Sequence, residues 1–205
     1  MTTAIIDYDA GNLKSVEKAL AYLGVPAVTT RNAQTILSAD HIILPGVGAF
    51  GDAMEKLHAY GLTEVIREAV GKEIPFLGIC LGLQLLFDSS EEAPGVPGLS
   101  ILPGRILKFS EETTNRGLKI PEMGWNSLQV KPGARLFRGV TGEPYVYFVH
   151  SYYLKAAHAE DAAATAEYGV VFDASVEHGN LFACQFHPEK SGETGLQLLK
   201  NFTEL

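Results

Sequence analysis

Apolar residues in the first half of the chain alternate between short unbroken runs and helical spacing. Ala4-Ile5-Ile6 is a run of the kind that buries both faces of a strand. Asn12 stands in a capping position before Leu13, Val16, Leu20 and Leu23, which share one helical face, and Gly24 ends that pattern. Residues 25–30 form the next strand, Asn32 starts a short helix, and His41-Ile42-Ile43-Leu44 is a third buried strand. Helical patterns follow around Met54 to Leu57 and Val65, Ile66 and Ala69. Residues 75–79 then form a fourth strand that passes straight into the helix-like stretch 81–87. Strand-helix-strand repetition of this kind predicts crossovers and a parallel sheet.

The second half has another rhythm. Breaker-rich stretches at 89–100 and 110–117 frame residues 101–109. Strands are predicted in succession at 146–149, 162–168, 170–172 and 181–186, a spacing that favours antiparallel pairing. A last helix over 193–202 carries Leu196, Leu199 and Phe202 on one face. The expected architecture is one α/β domain over residues 1–205, a doubly wound, mixed, mainly parallel sheet. Such a sheet binds ligands beyond the carboxyl ends of its strands.

Composition narrows the partners. The 205 residues carry 16 Lys and Arg against 24 Asp and Glu, a formal net charge of -8. With no basic run, this balance argues against nucleic acid or an anionic membrane surface as the main partner. No apolar run approaches the roughly 20 residues that span a bilayer. Two cysteines, Cys80 and Cys184, make no disulfide framework, and the first residues lack the basic start and apolar stretch of a signal peptide. A cytoplasmic, reduced setting is expected.

The sharpest chemical feature is Gly78-Ile79-Cys80-Leu81-Gly82, where a strand turns into a helix with a nucleophile at the corner. This is the geometry of a nucleophile elbow with Cys in place of Ser. The flanking glycines are expected where the turn brings backbone close, and the following helix aims its first N–H groups at the sulfur. The base and its orienting group are read from Phe186-His187-Pro188-Glu189. In an extended chain His187 and Glu189 project to the same side, so the carboxylate can hold one imidazole nitrogen while the other faces the thiol. A metal reading of Cys184 and His187 fails, because no further Cys or paired His completes a ligand set. No cofactor is implied.

Pro45-Gly46-Val47-Gly48-Ala49-Phe50-Gly51 contains a literal GxGxxG at Gly46, Gly48 and Gly51. It follows the third strand rather than the first, and no acid closes the next strand, so a dinucleotide-binding or flavin-binding module is the lesser reading. The loop reads better as backbone whose Val47 N–H joins that of Leu81 in an oxyanion hole. Glycines at 46 and 48 are expected to let the intervening peptide rotate at little steric cost.

Together these segments resemble the class I glutamine amidotransferases. The stretches Asp7-Tyr8-Asp9-Ala10-Gly11-Asn12-Leu13, Met123-Gly124-Trp125-Asn126, His150-Ser151-Tyr152-Tyr153 and Gln185-Phe186-His187-Pro188-Glu189-Lys190 narrow the likeness to the glutaminase subunits of imidazole glycerol phosphate synthases, in histidine biosynthesis. The resemblance implies a flavodoxin-like fold and hydrolysis of L-glutamine to glutamate and ammonia. It implies Cys80 as nucleophile, His187 as proton carrier and Glu189 as its orienting group. Gly48, Gln84, Ser151 and Tyr152 would bind glutamine. The implied partner is a cyclase subunit in a heterodimer that joins the ammonia to a phosphoribulosyl nucleotide substrate, met by Asn12, Trp125, Tyr152 and Lys190. A glutaminase serving another synthase, such as one making pyridoxal phosphate, is the nearest alternative. One departure stands out: Glu122 precedes Met123-Gly124-Trp125-Asn126 where these subunits more often carry histidine, which puts interface detail at that position in question.

Overall fold

The computed structural model describes residues 1–9 and 11–205, with residues 111 and 112 as backbone only. The first half is built as the apolar rhythm requires: β1 (Thr3–Ile6), α1 (Leu13–Tyr22), β2 (Ala27–Thr30), α2 (Ala33–Leu37), β3 (His41–Gly46), α3 (Phe50–Ala59), α4 (Leu62–Gly71), β4 (Phe76–Cys80) and α5 (Leu81–Leu85). The second half adds β5 (Ser89–Ser90), β6 (Gly104–Lys108), α6 (Glu111–Asn115), β7 (Glu122–Ser127), β8 (Gln129–Val130), β9 (Tyr145–His150), β10 (Tyr152–Ala156), β11 (Ala162–Tyr168), β12 (Val170–His178), β13 (Leu181–Cys184) and α7 (Gly192–Thr203).

The main sheet runs β2-β1-β3-β4-β13-β12-β10-β6-β5, with β11 and β8 attached beyond β12. From β2 to β13 every pairing is parallel, and at β12 the direction reverses. Both faces of the parallel half are buried because successive side chains point to opposite sides. Ala4, Ile6, Ile42, Leu44 and Phe76 face one cluster, filled by Ile36, Met54, Leu57 and Ile66 of α2, α3 and α4. Ile5, Ile43, Leu77 and Ile79 face the other, filled by Val16 and Leu20 of α1 and Leu198, Leu199 and Phe202 of α7. Helices therefore cover both sides, and the sheet is the doubly wound, mixed, mainly parallel one.

Three expectations change in the second half. Strand β9 does not pair with its successors; it pairs antiparallel with β7 in a separate two-stranded sheet. In Glu122-Met123-Gly124-Trp125-Asn126-Ser127 only Met123 and Trp125 alternate, and both are exposed while Glu122 is buried, so its strand character comes from that pairing rather than from a core-facing pattern. Strand β12 extends to His178 because its internal polar groups find partners: Ser175 Oγ donates to the Ala183 carbonyl at 2.9 Å, and Asp173 accepts from the Ala156 N–H at 2.9 Å. Strand β13 stops at Cys184, and the chain leaves the ladder so that the His187 N–H can bond the Tyr147 carbonyl at 3.0 Å.

Candidate active site

Cys80 ends β4 with φ 55 and ψ -109, a conformation that L-residues rarely hold. The turn is tight enough to dictate its neighbours. A Cβ on Gly82 would overlap the Leu44 carbonyl, and one on Gly78 would lie 2.8 Å from the Gly82 carbonyl oxygen. Helix α5 is only five residues long, so the field at the sulfur comes from its first N–H groups more than from an extended dipole.

His187 and Glu189 meet, but not along a strand. Pro188–Lys190 form a 3-10 turn in which Pro188 occupies the first position, where its fixed φ and missing N–H cost nothing. The two side chains converge across the turn, with Nδ1 of His187 2.8 Å from Oε1 of Glu189. Both side chains are excluded from solvent. The backbone of His187 is pinned by Ser191, whose Oγ donates to the His187 carbonyl at 2.6 Å and accepts the Tyr147 N–H at 3.0 Å. With Nδ1 held by Glu189, Nε2 of His187 is the nitrogen left for the Cys80 thiol. Burial pulls the imidazole pKa down, yet the Cys80 sulfur and the Glu189 carboxylate outweigh it and push the value up to about 9.

Asn12 occupies the position before α1 but does not cap it. It adopts a left-handed φ of 73, and its Nδ2 instead donates to Oε1 of Glu189 at 2.5 Å. Glu189 is thus gripped from two elements through one oxygen, while its Oε2 is buried without a partner.

The expected pocket residues come together. Val47, Gly48, Cys80, Leu81, Gln84, Ser151 and Tyr152 all line one cavity of about 370 Å³ at the carboxyl ends of β3 and β4. The loop freedom is less symmetric than the glycines suggest. Gly46 pairs with Cys80 inside the sheet, and a Cβ there would overlap the Tyr8 hydroxyl and crowd Leu81. Gly48, at φ 108 with open space around it, is the position that can turn. Val47 is 38% exposed, and a Cβ on Gly11 would lie 2.9 Å from its Cγ2.

Around the cavity, Glu92 and Tyr8 carry no mark of a site residue in the sequence. Glu92 lines the same cavity and is held there by the Phe50 N–H, 2.8 Å from its Oε2. It lies in a breaker-rich stretch with no periodicity to mark it. Tyr8 is buried beside the elbow, its hydroxyl donating to the Pro45 carbonyl at 2.9 Å, and burial followed by the nearby Cys80 charge raises its pKa. Gln84 donates to the Tyr152 carbonyl and to Oε1 of Gln185, whose Nε2 in turn approaches Cys80 Sγ at 3.6 Å. Cys184 is fully buried, and desolvation, then the charges of Glu189 and Cys80, raise its pKa well above the ordinary range. Trp125 is 56% exposed on β7 and stacks edge-on with Tyr147, over whose ring the Lys190 ammonium sits at 5.9 Å. Glu122, at the position of the departure, is not on the surface: it is 2% exposed and bonded to His150 and Asn126.

The family model described as glutamine amidotransferase class-I matches residues 4–205. A curated relative from Moorella thermoacetica, imidazole glycerol phosphate synthase subunit HisH, is 52% identical over 98% of this chain and 94% of its own length. The protein of the same name from Chlorobaculum tepidum is 49% identical over 98% of each chain. Among solved structures, a glutamine amidotransferase superposes with a TM-score of 0.75 at 21% identity, covering 98% of this chain and 97% of that one. PurLQS from Thermotoga maritima gives 0.74 at 20% identity, covering 99% and 97%. The fold is common to all of these, and the near-complete family match settles membership: the chain belongs to the class-I glutamine amidotransferases.

Proposed function

We propose that the chain is the glutaminase subunit of an imidazole glycerol phosphate synthase, hydrolysing L-glutamine and passing the ammonia to a cyclase subunit. The observation that carries the reading is the elbow cysteine set in a cavity together with a buried His187–Glu189 pair. The names and near-complete coverage of its relatives support the synthase.

In the mechanism, His187 takes the thiol proton and Cys80 Sγ attacks the carboxamide carbon of glutamine. The Val47 and Leu81 N–H groups receive the developing oxyanion. Collapse expels ammonia, which leaves with the proton returned by His187, and a thioester remains on Cys80. Water activated by the same imidazole cleaves the thioester to glutamate and restores the thiol. Glu189 fixes the tautomer and orientation of His187 throughout. Gly48, Gln84, Ser151 and Tyr152 frame the substrate, and Glu92 supplies the carboxylate that the substrate ammonium needs. Asn12, Trp125 and Lys190 form part of the surface that meets the cyclase, and exposed Met123 and Trp125 give it an apolar centre.

Cys80→Ala in the assembled complex should abolish synthesis driven by glutamine and leave synthesis driven by ammonium salt intact. A glutamine-like diazo-ketone should label Cys80 and spare Cys184. Loss of both activities, or a label on Cys184 by peptide mapping, would remove Cys80 from the nucleophile's role.

A further inference from the structure

Behind the cavity wall lies a buried polar pair that the mechanism does not use. His150 lines the cavity and is 6% exposed, set in an aromatic box of Phe109, Phe148 and Phe172. Its Nδ1 lies 2.8 Å from the Tyr152 carbonyl. A carbonyl only accepts, so Nδ1 carries a hydrogen. Its Nε2 meets Oε2 of Glu122 at 3.0 Å, and one proton is held between imidazole and carboxylate. The other oxygen of Glu122 accepts from Asn126 Nδ2 at 2.8 Å, and Asn126 donates as well to the Glu167 carbonyl at 2.9 Å. The Tyr152 carbonyl also receives Gln84 at 3.2 Å. A chain of hydrogen bonds therefore runs from β7 through Glu122, His150 and the Tyr152 peptide to Gln84.

We propose that Glu122 is a positioning residue for the glutamine pocket, acting through His150 to fix the Tyr152 carbonyl and the Gln84 amide. The inference rests on reading the cavity as the glutamine site. Without an acceptor or donor at 122, Nε2 is a buried polar atom with no partner, and the ring is free to turn away from the carbonyl. The wall made by Ser151 and Tyr152 then loses its anchor, which weakens substrate binding more than it changes the chemistry at Cys80.

The test uses the complex with its cyclase subunit and compares Glu122→Met, Glu122→Gln, His150→Phe and the Met/Phe double variant. Glu122→Met should raise KM for glutamine about tenfold with a smaller change in kcat, and leave the ammonium-driven reaction unchanged. Glu122→Gln should stay near wild type, because its amide donates to Nε2 while its carbonyl still accepts Asn126. His150→Phe fits the aromatic box and serves even if the Met variant is unstable; it too should raise KM. The double variant should be no worse than the worse single, since both break one chain. An unchanged KM in Glu122→Met and His150→Phe, multiplying effects in the double variant, or a Gln variant as poor as Met would overturn the proposal. Failure of the glutamine-site reading shows differently: the wild-type complex itself would then release no glutamate, and both would fall together.

Discussion

His187 depends on one oxygen of Glu189, and that oxygen is shared with Asn12. An orienting carboxylate and a proton carrier should fail differently when removed. In the subtilisin series, a worked example of such non-additivity, removing the aspartate costs about 3 × 10⁴ in kcat against about 2 × 10⁶ for the base. Glu189→Gln keeps the shape of the grip on His187 while losing the charge that stabilises the imidazolium, so it should cost less than His187→Ala. Single-turnover acylation rates for the two variants decide this, and a reversed order would mean that Glu189 takes the proton itself. The side chains of this group were legible as residues, since a cysteine between glycines and a His-Pro-Glu triplet are unusual on any strand. Their geometry was only half legible: an extended chain was expected to align His187 with Glu189, whereas the proline-led turn does so. Asn12 misled in the opposite sense, because a residue type that caps helices was spent on gripping the carboxylate instead.

At the scale of elements, the loop between β3 and α3 is where rigidity and freedom are divided. Gly46 is locked between Tyr8 and Leu81, whereas Gly48 has open space around it and a φ of 108 that glycine alone holds without strain. The two glycines should therefore answer differently to the same substitution. Gly46→Ala forces backbone or Tyr8 to move and should lower Tm by several degrees, an overpacking cost of about 1 to 3 kcal/mol. Gly48→Ala meets no atom, but alanine is strained at φ 108, and the loop relieves that strain by turning the exposed Val47 peptide rather than by unpacking the core; it should cost less Tm than Gly46→Ala yet lower kcat/KM for glutamine about tenfold as the Val47 N–H leaves its hydrogen-bonding orientation. Thermal melts paired with steady-state kinetics separate the two, and equal effects on Tm would contradict this division. Elements with their own apolar period, β1, β3, β4 and α1, were readable from the chain within a residue or two. Strands β7 and β10 were not, because most of their residues are only partly buried and they obtain strand geometry from neighbours distant in sequence. Glu92 and His150 share that fate, being positioned by contacts rather than by any local pattern.

At the scale of the whole molecule, the parallel sheet has a chemical end and a structural end. At the structural end His41 opens β3, buried edge-on against Phe202 of α7, and burial lowers its pKa despite the opposing charge of Asp40 and the nearby Leu205 backbone. A histidine depressed in the fold is neutral there, so its share of stability is complete above the unfolded value of about 6.5 and is lost as pH falls below it. His41→Phe should flatten the drop in Tm between pH 7 and pH 5 while leaving glutamine turnover unaltered, because the site lies at the other end of the sheet. That chemical end is where the proposed cyclase partner would dock. Asn12 bonds Glu189, Gly11 lies close enough to Val47 that a Cβ there would crowd it, and Trp125 packs edge-on against Tyr147, whose carbonyl holds the His187 N–H. A partner seated, as proposed, on Asn12, Trp125 and Lys190 would therefore touch, at one remove, the Glu189 carboxylate, the proposed oxyanion loop and the backbone of His187. Hydrolysing glutamine with no acceptor waiting wastes it, and one misdirected oxyanion donor is enough to prevent that, at about 100 to 1000-fold in turnover. To reverse it, the partner with its nucleotide must favour the competent loop by about 3 to 4 kcal/mol. Glutamate production should then be lowest for the isolated chain, higher in the complex and highest with nucleotide bound, with Gly48→Ala reducing the span between first and last. Equal turnover in all three states would mean that the loop is already competent in the free subunit, and that the partner receives ammonia without controlling its release.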